Sequence, residues 1–539
     1  MKRFLFFFVL SISQLGIAQT EDAWVYFTDK ENVTDALANP ITILTQEAID
    51  RKNLHNTVID ARDIPVNESY ITQLKNTTGI TVLAKSKWFN CAYVRGTQPN
   101  IASLSALSFV DRIDYADNSL DSRKSVVENK KAKQPSPNKF KVKTLFNYGS
   151  ALQQIQQLNA EYLHEQNFTG SGMIIAVMDS GFPGVNTIDG FKRIRDDGRL
   201  LDGYDFVSRN ADEFAFTGSS HGTQTFSDIA GFIDGQFVGT APDAKYYLFR
   251  TEDVSSEGPK EEALWVEAAE RADSLGVDVI NTSLGYSAGF DNPAYEYQTS
   301  DMDGQTTFIT RGANIAFEKG MLLVSSAGNE GGSSWGIITA PGDAPGVLTV
   351  GAVNSSGNYA SFSSIGPTAD NRVKPDVVAR GASAAVILSN NSVSSSNGTS
   401  FSSPIMAGAV TCLWQAFPSM TNAEIMQLVR ASGSLFNNPT NQLGYGIPNF
   451  KTILENLAIG EEVAEGFRVY PNPVRNRLFI DLNTEKKIKI RIFTLEGKIV
   501  KSEELSNTKY ISLQDLSTGL YMVEINTDNI RHTLKISKY

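Results

Sequence analysis

Met173-Ile174-Ile175-Ala176-Val177-Met178 is an unbroken apolar run, and it stops on Asp179-Ser180-Gly181. A strand with one face in water alternates polar and apolar residues, so a continuous run of this length reads as a strand covered on both faces. The pattern returns at residues 246–249, 277–280, 322–325 and 347–350, with helical stretches at 260–275 and 313–319. Apolar strands alternating with helices predict an α/β fold, a doubly wound, mostly parallel sheet built from residues 145–458. Ligands of such sheets bind beyond the carboxyl ends of the strands, and Asp179 stands at one of them.

The flanks have a different character. Strand-like and helix-like segments at 23–27, 70–75, 80–83, 88–94, 101–107 and 109–115 follow the order β-α-β-β-α-β, which predicts a small α+β split β-α-β domain over residues 19–118. Residues 119–144 read as a linker, polar and basic around Ser122-Arg123-Lys124 and rich in lysine and proline from Asn129 to Pro137, hence easily cut. Before these, Met1-Lys2-Arg3, an apolar run at 4–10 and the small-residue site Gly16-Ile17-Ala18 form a secretory signal peptide over residues 1–18, too short to span a bilayer comfortably. At the other end, residues 466–539 carry short strands at 478–481, 488–493, 499–500, 510–513 and 520–525, which predict a small β-sandwich.

The 539 residues carry a net charge of −11 with no offsetting basic stripe, which argues against a nucleic-acid partner. Only two cysteines occur, Cys91 and Cys412, in different predicted domains, so no disulfide framework is expected. Cys412, in an apolar helix, reads as a small buried hydrophobe.

Chemistry-bearing residues collect at the strand ends of the large domain. Asp179 alone is compatible with a turn or with a sugar ligand. His221, in Ser219-Ser220-His221-Gly222-Thr223-Gln224, stands at a helix start. Of the four histidines, His55 falls in the first small domain, His532 in the tail and His164 on an amphipathic helix read over 152–164, so that if a serine–histidine mechanism operates, His221 is the well-placed candidate. Asn329, in Ala327-Gly328-Asn329-Glu330, follows another apolar strand and offers either a turn or an NH₂ donor for a developing oxyanion. Residues 279–285, Val-Ile-Asn-Thr-Ser-Leu-Gly, run from a buried strand into an edge whose backbone can pair with an extended peptide. Finally, Gly398-Thr399-Ser400-Phe401-Ser402-Ser403-Pro404 places Ser400 on a tight turn just ahead of a helix, because Pro404 fits within a helix's first turn and Gly398 permits a sharp approach. The unpaired N–H groups of that helix start suit an oxyanion beside Ser400. A serine-rich loop capping an ordinary helix is the competing reading of these residues alone.

Together, Asp179-Ser180-Gly181, His221-Gly222-Thr223, Ser283-Leu284-Gly285, Ala327-Gly328-Asn329-Glu330 and Gly398-Thr399-Ser400 resemble the motif set of subtilisin-like serine proteases. The resemblance implies Ser400 as nucleophile, His221 as general base, Asp179 as its orienting carboxylate and Asn329 as oxyanion donor. It also implies one cleft wall from Ser283, Leu284 and Gly285, an opposite wall including Ala327 and Gly328, and Thr339 near the pocket floor. Gln224 departs from the His or Ala that many relatives carry there. The first domain resembles the inhibitory propeptides of such proteases. The tail, with Tyr470-Pro471-Asn472-Pro473 and Gly519-Leu520-Tyr521, resembles the C-terminal sorting domain of type IX secretion. These resemblances imply a secreted or surface-held serine endopeptidase, exported through the periplasm as a zymogen, with polypeptide substrates, its own propeptide and the type IX machinery as partners. No organic cofactor is required; Ca2+ is common in relatives, but no acidic loop identifies ligands, and the metal site stays unassigned. A catalytically silent binding or adhesion protein is the alternative that the intact motif set disfavours, and an esterase is disfavoured by the peptide-pairing edge.

Overall fold

The computed structural model describes residues 20–120 and 146–458, and within the C-terminal part residues 467–470, 474, 476–482, 488–494, 498–505, 510–517, 519–526 and 531–538. The expected signal peptide, and the linker from residue 121 onward, lie outside the described residues.

The centre of the molecule is a seven-stranded sheet in the order Val377–Arg380, Val347–Val353, Leu322–Ser326, Val279–Thr282, Ile174–Asp179, Lys245–Arg250, Tyr204–Asp205. Every pairing is parallel. The strand Ile174–Asp179 is buried throughout, and its side chains divide with a period of two. Ile175 and Val177 enter one core, shared with the helices His221–Ala230 and Thr399–Ala416. Ile174, Ala176 and Met178 enter a second core under the helices Pro259–Leu275 and Phe308–Glu318. Coverage on both faces is what an uninterrupted apolar run requires.

Local signals explain where the Pro259–Leu275 helix begins and ends. Proline occupies its first turn, the Glu261 carboxylate accepts the Gly258 N–H at 3.1 Å, and Gly276 leaves the helix at φ 84. Two sequence expectations need correction. The amphipathic helix read over 152–164 is two short helices, Leu152–Gln157 and Glu161–Glu165, and His164 is fully buried rather than on a surface helix. Its ring bonds the Tyr148 hydroxyl at 2.7 Å and the Thr240 carbonyl at 2.9 Å, so it fills the core as a satisfied polar group. The sheet strands Val377–Arg380 and Tyr204–Asp205 are additional to those expected from the sequence.

Toward the N-terminus, four antiparallel strands pair in the order Ile80–Ser86, Cys91–Thr97, Thr20–Phe27, Val110–Tyr115. The split β-α-β arrangement is present, with two additional helices, Val33–Ala38 and Gln46–Leu54. One face of this sheet holds its own core around Val25, Ile71 and Leu74. The other face lays Trp24, Tyr26, Trp88 and Tyr93 into the second core of the central sheet. There the Trp24 and Phe308 rings stack at 4.9 Å, and each such side chain contributes roughly 1.5–3 kcal/mol by leaving water.

Charge completes this junction. Lys52 bonds Asp273 at 2.8 Å and Asp63 at 3.3 Å, Lys319 bonds Asp63 at 2.6 Å, and Arg51 also engages Asp273. All of these side chains are at most 4% exposed. Glu270 accepts hydrogen bonds from the Lys87 N–H at 2.8 Å, the Trp88 N–H at 2.9 Å and the Ser86 hydroxyl, and burial pushes its carboxyl up to about 7. The C-terminal strands form a three-stranded and a four-stranded sheet around a separate core that includes Leu478, Ile490 and Val523. This is the predicted sandwich.

Candidate active site

Asp179 is the last residue of its strand and is fully buried. Its Oδ1 accepts from the Ser180 N–H at 2.7 Å, the Ser180 hydroxyl at 3.2 Å and His221 Nδ1 at 2.7 Å, while Oδ2 accepts from the Thr225 hydroxyl at 3.0 Å. The carboxylate is therefore held by donors on both oxygens, and only one of them is the imidazole. His221 opens the helix His221–Ala230 with its side chain 34% exposed. The bond at Nδ1 assigns that nitrogen the proton and leaves Nε2 as an acceptor. Burial alone lowers the imidazole pKa; the Asp179 charge and hydrogen bond outweigh it, so His221 sits above its ordinary value.

Ser400 lies in the first turn of the helix Thr399–Ala416, not on a turn ahead of it. The helix starts at Thr399 because Asn329 Oδ1, arriving from another loop, accepts both the Thr399 N–H at 2.9 Å and the Thr399 hydroxyl at 3.1 Å. Pro404 accordingly falls in the second turn rather than the first. A proline there withholds the N–H that the carbonyl of Ser400, four residues earlier, would accept. That carbonyl takes the Ser283 hydroxyl instead, at 2.9 Å. The Ser400 hydroxyl is 3.4 Å from the Ser283 carbonyl, to which it donates. The His221 ring lies beside the next residue, with its centroid 5.9 Å from that of Phe401.

Occupation of Asn329 Oδ1 by Thr399 turns the amide so that its NH₂ is left to donate, and the residue is exposed. Ser283 is buried, Leu284 half-buried and Gly285 exposed, so this segment climbs from the core to the surface just past the strand Val279–Thr282. Opposite, Ala327 is fully buried, with its N–H on the Val350 carbonyl and its own carbonyl accepting from the Thr339 N–H. Gly328 is the half-buried member of that pair. Thr339 sits between the two segments: its Oγ1 is 2.2 Å from where a Cβ on Gly285 would be and 2.8 Å from one on Gly328. Both glycines thus make room for the threonine, whose buried hydroxyl has no hydrogen-bond partner.

Among the described residues, one trio has metal-ligand spacing, Glu252, Glu257 and Glu261, with ligand atoms within 4.8 Å of one another. Tyr286 donates to Glu252 at 2.8 Å, and the Asp253 and Gly258 N–H groups bond Glu261. Burial and the neighbouring carboxylates raise Glu252 and Glu261 above the ordinary carboxylate range, and the trio is not assigned to Ca2+. Of the other histidines, His55 stacks on Trp414 at 5.4 Å and bonds the Pro418 carbonyl, and His532 belongs to a tail strand. Cys91 and Cys412 are free and buried. Three residues of the site, Thr225, Ser180 and Thr399, are not among those expected from the sequence. Thr225 is accessible to such reasoning in principle, since it lies four residues after His221 on the same helix face.

Comparison with known proteins follows this division. The family model described as Subtilase family matches residues 170–446, more than half of the chain. Residues 22–134 match the Peptidase S8 propeptide domain of Bacteroidota, and residues 468–538 match a secretion system C-terminal sorting domain. Subtilisin NAT of Bacillus subtilis subsp. natto is 32% identical over 287 residues, covering 53% of this chain and 66% of its own length. Subtilisin E of Bacillus subtilis (strain 168) gives the same figures. Subtilisin of Bacillus pumilus is 31% identical over 283 residues, covering 52% of this chain and 90% of its own. The chain thus spans slightly under two thirds of the first two relatives. The solved structure of MycP1 from Mycobacterium smegmatis overlays with a TM-score of 0.45 at 23% identity, over 61% of this chain and 89% of that one.

Proposed function

Because the chain belongs to the subtilase family, we propose that it is a serine endopeptidase made as a zymogen, with Ser400 as nucleophile. The observation that carries this reading is the bond from His221 Nδ1 to the buried Asp179, which leaves Nε2 to act as base beside the helix that bears Ser400. Ser400 Oγ attacks the scissile carbonyl as His221 Nε2 takes its proton. The imidazolium, stabilised by Asp179, then returns that proton to the leaving amine, and water repeats the cycle to release the acyl group. The Asn329 NH₂ and the Ser400 N–H hold the tetrahedral oxyanion. An extended substrate adds a strand along residues 283–285, and the side chain before the scissile bond enters between that segment and Gly328, above Thr339.

The N-terminal domain is a propeptide, and its seating on the helices Pro259–Leu275 and Phe308–Glu318 supports an inhibitory role. The sorting domain directs the chain out of the cell, to the outer surface or the medium. We assign processing to the segment 119–144.

The reading is tested by sequencing the products of a peptide library treated with processed enzyme, with and without a serine-directed inhibitor, and by Ser400→Ala. Inhibitor-sensitive cleavage that Ser400→Ala abolishes is the expected result. Cleavage that survives the substitution would overturn it.

A further inference from the structure

Ser283 differs from the rest of the cleft wall because both its hydroxyl and its carbonyl meet Ser400. The helix Thr399–Ala416 has a built-in defect one turn after the nucleophile: Pro404 has no N–H to give the Ser400 carbonyl. A buried carbonyl left without a donor is costly and free to tilt. Ser283 Oγ supplies the missing donor at 2.9 Å from a different segment of the chain. Hydrogen-bond accounting fixes its direction. The Ser283 hydroxyl has one proton, and with that proton on the Ser400 carbonyl its oxygen accepts from Asn281 Nδ2 at 3.3 Å and from the Ser403 hydroxyl at 3.1 Å. Asn281, Ser283 and Ser403 are all buried, so water does not compete for these bonds.

We propose that the Ser283 side chain is a positioning residue for the nucleophile, its hydroxyl replacing the hydrogen bond that Pro404 withholds and so fixing the turn that aims Ser400. This rests on the peptidase reading above. It assigns Ser283 a role separate from strand pairing with substrate, which uses only its backbone. The role belongs to the pair, Ser283 with Pro404, because an ordinary residue at 404 would make the hydroxyl redundant.

A double-substitution cycle on protein whose linker and first domain have been digested away with trypsin, the loss confirmed by mass, so that no variant depends on its own processing or stays covered, isolates that coupling. Wild type, Ser283→Ala, Pro404→Ala and the double variant are compared by the rate at which a fluorophosphonate labels Ser400, by kcat and KM on a peptide, and by thermal unfolding. Labelling reads nucleophile placement without any strand pairing. Ser283→Ala is expected to lower both the labelling rate and kcat by about tenfold, with KM little changed, because small displacements of a nucleophile are expensive. In the Pro404→Ala background the new N–H satisfies the carbonyl, and the same change should cost less than about twofold. Ser283→Cys, a weaker donor of similar size, should fall between wild type and Ser283→Ala. Equal losses in both backgrounds, or a lower melting temperature with an unchanged labelling rate, would overturn the proposal while leaving the peptidase reading intact. A wild-type protein that neither takes the label nor cleaves peptide would overturn both.

Discussion

His221 is pulled two ways, and the outcome has a measurable sign. Burial favours the neutral ring, but Asp179 favours the cation more, so the pKa is raised. As the proposed base, His221 must be neutral to work; the acid limb of kcat/KM is therefore expected above about pH 6.5, the ordinary imidazole value. The raised value also means that this group stabilises the fold below its unfolded pKa, and that this stabilisation is lost as pH rises through the folded one. Asp179→Asn should move the limb down and lower kcat by about 10⁴; a limb that stays in place would remove Asp179 from the mechanism. Asn329→Leu should lower kcat by about 10²–10³ with little change in KM, an effect read directly by steady-state kinetics. Asn329→Asp keeps the acceptor for Thr399 but loses the donor, so it should share the kinetic loss while unfolding close to the wild-type temperature. The residues proposed for the mechanism, Asp179, His221, Asn329 and Ser400, can be picked out of the sequence because each follows an apolar strand or opens a helix. Thr399 is hidden, because its part depends on Asn329 Oδ1 reaching it across the fold, whereas Ser180, next to Asp179, and Thr225, one helical turn after His221, lie within reach of the sequence pattern.

At the scale of elements, strands are easier to read from the sequence than junctions. Val347–Val353 is a seven-residue, largely apolar run, whereas Val377–Arg380 beside it is four residues ending in arginine, too short to stand out. The helix Gln46–Leu54 is hidden for a different reason. Its Arg51 and Lys52 read as a solvated face, yet both are buried against Asp273, over two hundred residues away in the chain. Removing one partner from such a site strands a charge in low dielectric. Lys52→Met is expected to weaken docking of the first domain by about 3–5 kcal/mol, and adding Asp273→Leu should weaken it further, because the buried Arg51 then loses its carboxylate as well. Binding of the separately added propeptide to processed enzyme, followed as inhibition, checks both.

On the scale of the whole molecule, the cores are unequal in their independence. The tail encloses its own, while the first domain shares a core with the central sheet through Trp24, Trp88 and Tyr93. Cutting the linker changes none of those contacts. Trypsin nicking of Ser400→Ala protein should therefore leave the two pieces co-eluting on gel filtration, in 1 M salt as in dilute buffer, because the junction rests on a shared apolar core and on buried ion pairs that salt screens little. Separation on nicking alone would contradict this. The domain order is readable from composition, since a basic proline-containing linker breaks two patterned regions; that the first region docks on two helices of the second is not, because that surface is assembled only by folding.

The buried charges of Lys52, Asp63, Asp273 and Lys319 also bear on timing. A cover held mainly by surface contacts would come and go with the ionic conditions outside the cell. On the zymogen reading proposed above, this one is expected to leave chiefly by being digested. The protein would then work as a fuse rather than a valve: each molecule is switched on once, irreversibly, after a delay set by how fast the docked flank is degraded.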